Sequence, residues 1–274
     1  MIVQDHQMLA KDIHNLRHLL PYGMGKDVVA FSTRRHGLGG STESYSSLNI
    51  NPFCGDNIEN VERNRALLAA SLGVGENSLV LPHQVHDNRV EILHSDFLSL
   101  NKAERATRLE GIDALLTDVS GLCIGVSTAD CVPVLLYDQK NKAVGAVHAG
   151  WRGTVKRIAL TAVEKMVAEY GSSPADLVAV IGPSISREAF EVGDEVYDAF
   201  NAEGFPMPQI ACRINNRWHI DLWQCNRLQL LSAGLLASNI TVSGICTYFH
   251  PNDFFSARRL GINSGRIYSG IILI

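Results

Sequence analysis

Three short apolar runs, "DALLTD" (113–118), "LCIGVST" (122–128) and "VPVLLYD" (132–138), follow one another with three residues between each pair. A parallel neighbour needs a crossover of about a dozen residues or more, so this spacing forbids helical crossovers between them. They are expected as antiparallel neighbours in a mixed sheet, which argues against a doubly wound fold. Further runs at 27–33, 88–93, 143–150, 176–183, 240–248 and 266–274 also read as strands. Helical spacing appears in "TVKRIALTAVEKMVAEYG", between an N-cap at Thr154 and a stop at Gly171. Two more helices are expected over 60–73, ending at Gly73, and over 221–234, capped by Asp221 and stopped by Gly234. No Pro/Ser-rich linker, composition break or repeat divides the chain. The expectation is one α+β domain over residues 1–274, mixed sheets layered with helices, with residues 1–26 as an extension packed on it.

With 274 residues, 46% of them hydrophobic, the chain can bury a core without disulfide staples. A net charge of -4 and the lack of any Lys/Arg-rich run exclude a general attraction to nucleic acid or an anionic membrane. An anionic ligand must then meet a few placed arginines. The six cysteines are scattered and form no Cys-x-x-Cys pair, which fits reduced thiols in a cytoplasm. The first twenty residues are broken by charges and histidines, and no eighteen apolar residues run together. A soluble cytoplasmic protein, monomer or small homo-oligomer, is expected.

Chemistry concentrates around "STADCVPVLLYD" and "AVGAVHAGWRGT". Cys131 and His148 sit at strand ends, where side chains reach a cleft. A lone cysteine is commonly a small buried hydrophobe, but Asp130 beside it has no reason to adjoin an apolar strand unless it pairs or caps. In "LPHQVHDNRV", His83 and His86 point to opposite faces of an extended segment unless the chain bends. His83 reads as a surface loop residue. His86 would complete, with Cys131 and His148, a two-histidine, one-thiolate set suited to zinc with a fourth position open to water. Gly150, Arg152 and Gly153 precede the expected helix start at Thr154, where free backbone N–H groups and a guanidinium could meet an anion together. Arg258 and Arg259 in "FFSARRLG", and Arg34 and Arg35 in a glycine-rich loop, add further cations.

Together with "FSTRRHGLGGSTESYSSLNI", "QVH", "DALLTD", "IGPSISREAFEVGDEV" and "FFSARRLGINSGRI", these motifs resemble, in order from about residue 30 onward, the YfiH/YlmD family of purine nucleoside phosphorylases, formerly labelled polyphenol oxidases or laccase-like proteins. The resemblance implies a single α+β domain and a zinc held by His86, Cys131 and His148, with copper as the alternative metal. It also implies phosphorolysis of adenosine, inosine, guanosine and methylthioadenosine, with adenosine deamination beside it. Purine nucleosides and inorganic phosphate are then the expected partners. His36, Ala257 and Leu260 depart from the family pattern, and they bear on substrate preference more than on the metal.

Under that reading Asp130 is the expected proton carrier, and Arg152 with Arg65, Arg258 or Arg259 forms the phosphate cradle. Three rivals stay open. A Cys131/His148 nucleophile pair would make a thiol amidohydrolase, a reading kept alive by the likeness of this fold to the cytotoxic-necrotizing-factor deamidases. A closed structural zinc in a non-enzymatic protein would need His83 as fourth ligand. A multicopper oxidase needs more than ten scattered histidines without a His-Cys-His triplet can build. The His-x-Glu and Pro-Cys-x-x-Cys signature of the zinc cytidine deaminases is absent.

Overall fold

A computed structural model describes residues 13–274. Its strands are β1 (Leu19–Tyr22), β2 (Val28–Thr33), β3 (Leu79–Val80), β4 (Val90–Leu93), β5 (Ala114–Thr117), β6 (Cys123–Thr128), β7 (Val132–Asp138), β8 (Ala143–Ala149), β9 (Leu177–Ile181), β10 (Glu191–Val192), β11 (Ala211–Ile214), β12 (Arg217–Ile220), β13 (Ile240–Val242) and β14 (Ile267–Leu273). The helices are α1 (Ile58–Ser71), α2 (Lys102–Arg108), α3 (Trp151–Val155), α4 (Ile158–Tyr170), α5 (Asp194–Ala202), α6 (Met207–Ile210), α7 (Leu222–Ser232) and α8 (Ala257–Leu260). Of the expected N-terminal extension, residues 1–12 lie outside the described residues, while β1 forms the edge of a sheet.

Two sheets pack face to face. One has the order β1-β2-β14-β6-β3, the other β13-β9-β7-β8-β5-β4. Side-chain alternation along each strand sorts the core into layers. Leu135 and Tyr137 of β7 meet Ile124 and Val126 of β6 and Ile271 and Leu273 of β14 between the sheets. Val132, Val134 and Leu136 point the other way, onto Ile158, Ala162 and Met166 of α4 and Leu230 of α7. Phe31, Tyr268 and Ile272 on the outer face of the first sheet are covered by Leu68 of α1. The result is four layers, helix, sheet, sheet, helix. Strands β5 to β8 and β14 are buried on both faces, which is why they read as continuous apolar runs rather than alternating ones. A small sheet, β10-β12-β11, stands apart from these two.

The close-spaced strands are not hydrogen-bonded neighbours. β5 and β7 flank β8, each antiparallel to it, while β6 lies in the other sheet between β14 and β3. A three-residue link can hop between stacked sheets about 10 Å apart as easily as it can turn a hairpin, and spacing alone does not separate the two. The hairpin is β7–β8, whose Asp138 carboxylate accepts from the N–H groups of Lys140 and Asn141 to shape the turn. The helix expected to start at Thr154 is also broken: α3 begins at Trp151 with Gly150 as its cap, and Arg157, at φ 64°, interrupts the chain before α4. Asn57 and Asp221 cap α1 and α7 through their side chains, and Gly171 closes α4 in the left-handed conformation. Of the run 240–248, residues 240–242 alone form a strand.

Gly125 on β6 and Gly270 on β14 are cross-strand partners, and the Tyr268 ring lies over both. A Cβ at Gly125 would sit 2.5 Å from Tyr268 Cε2. Gly125→Ala must therefore displace a fully buried ring, and it should lower stability by about 1–3 kcal/mol, read as a fall in the urea midpoint at unchanged slope.

Candidate metal centre

Strand register alone brings most of the site together. Pro133 on β7 pairs with His148 on β8, and Val132 with Ala149, so Cys131, just before Val132, arrives beside the end of β8. β5 runs alongside with Ala114 opposite Val147, which places Asp113 at the same sheet end, its carbonyl accepting from the His148 N–H at 2.8 Å. β4 is parallel to β5, so the loop before it carries His86 to that end too. Donors 62 residues apart in sequence, from His86 to His148, thus meet at one edge of the six-stranded sheet.

The loop bends where it must. His86 adopts the left-handed conformation, φ 63°, and Asp113 holds it there by accepting from the backbone N–H groups of Val85, His86 and Asp87 at 3.2, 2.9 and 2.9 Å. The same carboxylate accepts from His148 Nδ1 at 2.7 Å, which leaves Nε2 to face the other donors. Ligand atoms of His86, Cys131 and His148 all lie within 4.8 Å of one another. Among the described residues this is the one group of three or more such side chains gathered closely enough to hold a metal. Gly150 leaves the space between them: a Cβ there would stand 3.0 Å from His86 Cδ2, 3.1 Å from Cys131 Sγ and 3.6 Å from His148 Nε2. Two imidazoles and a thiolate, with a carboxylate behind one histidine and a glycine-cleared centre, fit a metal ion.

Electrostatics support a thiolate. Burial pushes the Cys131 thiol up, but the His148 and His86 rings beside it more than offset this and bring it down to about 6. Burial likewise depresses His148, while the Cys131 thiolate and Asp113 raise it to about 9. Burial acts to raise the Asp113 carboxyl, yet the His148 ring and the backbone N–H groups of Asp87 and Val85 hold it below the usual carboxylate range.

The three donors open into a cavity of about 280 Å³, also lined by Asn51, Phe53, Cys54, His83, Gln84, Ser127, Thr128, Ala129, Ala257, Ile262 and Arg266. Asp130, at φ 90°, turns its carboxylate elsewhere: Oδ1 accepts from Thr247 Oγ1 at 2.7 Å and Oδ2 from the Arg258 N–H at 2.6 Å. It ties the segment after β13 and the start of α8 to the turn that carries Cys131. The four arginines expected as a cradle go to different places. Arg152 is exposed, its guanidinium over the Trp151 ring, and the Thr154 N–H behind it is already given to the Gly150 carbonyl. Arg65 is part of α1, where burial lowers its pKa and Nη2 donates to the Leu79 carbonyl. Arg258 reaches the Glu191 carbonyl and Arg259 that of Tyr248. Arg266 is the arginine on the cavity wall. His83 lines the cavity as well, its Nδ1 bonded to Glu110.

Sequence reasoning missed Asp113 and Arg266. Asp113 heads an apolar strand as Asp130 does, and that same signal could have found it.

Replacing Asp113 with Asn turns one acceptor oxygen into an amide facing N–H donors. Asp113→Asn should therefore weaken metal affinity about 10- to 100-fold, measured by competition with a chelator. In metal-free wild-type protein, alkylation of Cys131 by iodoacetamide should rise with pH through about 6 rather than about 9. Asp113→Asn should move that midpoint upward, because a less stabilised imidazolium holds the thiolate less well.

No helix among the described residues is long and apolar enough to cross a membrane. A family model described as multi-copper polyphenol oxidoreductase laccase matches residues 28–274. A purine nucleoside phosphorylase of Bacteroides thetaiotaomicron is 47% identical over 249 residues, 90% of this chain and 92% of that one. The adenosine deaminase RL5, from an unknown prokaryotic organism, is 45% identical over 89% of this chain and 93% of its own length. The crystal structure of YlmD from Geobacillus stearothermophilus superimposes with a TM-score of 0.87 at 32% identity, covering 94% of this chain and 96% of that one. YfiH from Bacillus licheniformis gives 0.86 at 32% identity, over 94% and 97%. Likeness that extends over nearly the whole chain, in sequence and in fold, assigns it to the YfiH/YlmD family.

Proposed function

We propose that this protein is a zinc-dependent purine nucleoside phosphorylase, acting on adenosine, inosine, guanosine and methylthioadenosine, with adenosine deaminase activity. The observation that carries the reading is the His86, Cys131 and His148 set opening into a cavity lined by apolar residues such as Phe53 and Ile262 and polar ones such as Ser127 and Arg266. Relatives named purine nucleoside phosphorylase and adenosine deaminase support the substrate class. Zinc is favoured over copper because two imidazoles and one thiolate are a common zinc set with a position left open, and a zinc ion there supplies a Lewis acid that activates water near neutral pH.

The chain's own groups have separate tasks. Asp113 fixes the tautomer of His148 by taking its Nδ1 proton in a hydrogen bond. Asp130 holds the segment bearing Ala257 against the Cys131 turn. Arg266 gives the cavity a positive charge, and its guanidinium is steadied by the carbonyls of Ile262 and Gly265. That charge is placed to meet inorganic phosphate, while purine and ribose fill the remaining wall.

A second reading is favoured by one observation: Cys131, His148 and Asp113 also form a nucleophile, base and orienting carboxylate in sequence. Metal content separates the two, since a zinc-held thiolate is a poor free nucleophile.

Inosine or adenosine with inorganic phosphate should yield free base and ribose 1-phosphate, and adenosine without phosphate should yield inosine and ammonia, resolved by chromatography. The purified protein should carry about one zinc per chain, lost in Cys131→Ala and His148→Ala. Base release at equal rate without phosphate would mean a hydrolase. Arg266→Ala should raise the KM for phosphate about ten- to a hundredfold, the value of a charge-assisted contact, while Arg152→Ala stays within about twofold.

A further inference from the structure

Two features of the cavity wall are not explained by the metal donors. The first is Thr128, the last residue of β6. It is 1% exposed, it lines the cavity, and its Oγ1 has no hydrogen-bond partner among the described residues. Its neighbour Ser127 shows the opposite state: its hydroxyl accepts from Asn51 Nδ2, and its backbone N–H and carbonyl both bond to the Gln84 side chain, at 2.7 and 2.9 Å. A buried hydroxyl left unpaired costs stability, and a ligand atom in the cavity would remove that cost.

The second feature is Phe53. Its side chain is 52% exposed, yet its position is fixed from two sides. The ring stacks on His83 at 4.3 Å and 29°, and His83 Nδ1 is held by both oxygens of Glu110 at 2.8 and 2.9 Å. The Phe53 N–H donates to Asn51 Oδ1 at 2.6 Å, which pins the backbone. Ile262, 73% exposed, adds apolar surface to the same cavity. A half-exposed aromatic ring backed by an anchored imidazole is a preformed platform for a flat apolar group.

We infer that the purine base of the substrate stacks on Phe53 and that a ribose hydroxyl hydrogen-bonds the Thr128 Oγ1. This deepens the purine nucleoside reading of the cavity and rests on it. The aromatic platform recognises the π-face of the base, so it accepts adenine, guanine and hypoxanthine alike. Thr128 recognises the sugar and so discriminates nucleosides from free bases.

Steady-state kinetics with inosine and saturating phosphate, with zinc content measured on each preparation, test this. Thr128→Val removes the hydroxyl at nearly constant volume and should lower kcat/KM about tenfold, with zinc content unchanged. Phe53→Ala should raise the inosine KM at least about fivefold, the low end for a lost base stack, and Phe53→Trp should restore it. Wild-type turnover with both Thr128→Val and Phe53→Ala within twofold of it overturns this inference and leaves the proposed activity standing. Loss of zinc in Phe53→Ala or Thr128→Val makes the residue structural and overturns its substrate role. No turnover of any purine nucleoside by the wild-type protein overturns the proposed activity and this inference with it.

Discussion

The buried carboxylate of Asp113 is the contact on which the site depends. A charge taken out of water costs several kcal/mol unless donors replace the lost hydration, and here four N–H groups do so. Each of those donors belongs to a part that has to be placed. Three bend the chain at His86 into a left-handed conformation that an unconstrained histidine rarely adopts, and the fourth turns the His148 ring. With both rings set, Cys131 completes the triangle simply by standing at the start of β7. One carboxylate therefore converts three sheet-end positions into a ligand set.

The sheets supply the rigid frame. β4, β5 and β7 all begin at the edge where β8 ends, so Cys131 and His148 are held by strands buried on both faces, while His86 sits on a loop that Asp113 pins. Rigid strands fix ligand atoms more closely than mobile loops do. The price is that no donor lies near another in sequence, so the cluster that could hold a metal exists only once the sheet has formed.

That non-local construction decides what could be read from sequence. Strand positions were legible because double burial leaves long apolar runs, and eight of the nine expected runs lie within a residue or two of an observed strand. Strand neighbours were not, because the links around β6 pass between sheets. Cys131, His148 and His86 were legible as residue types that chemistry uses. Asp113 was not singled out, because an aspartate opening a strand reads equally as a cap. The arginines were least legible: a long side chain points where its tertiary surroundings allow, so Arg65, on α1, turns to the Leu79 carbonyl, and Arg266, not singled out within "FFSARRLGINSGRI", reaches the cavity.

The placement of β14 carries a consequence for biosynthesis. It follows every other strand among the described residues yet occupies the middle of the five-stranded sheet, between β2 and β6. As the polypeptide leaves the ribosome, β4, β5, β7, β8 and β9 can already associate, since all lie upstream in the order of translation. β2 and β6 must wait, with their inner edges unpaired, until β14 emerges and slots between them. Those open edges are the surface that a nascent chain of this topology has to keep from pairing with its neighbours.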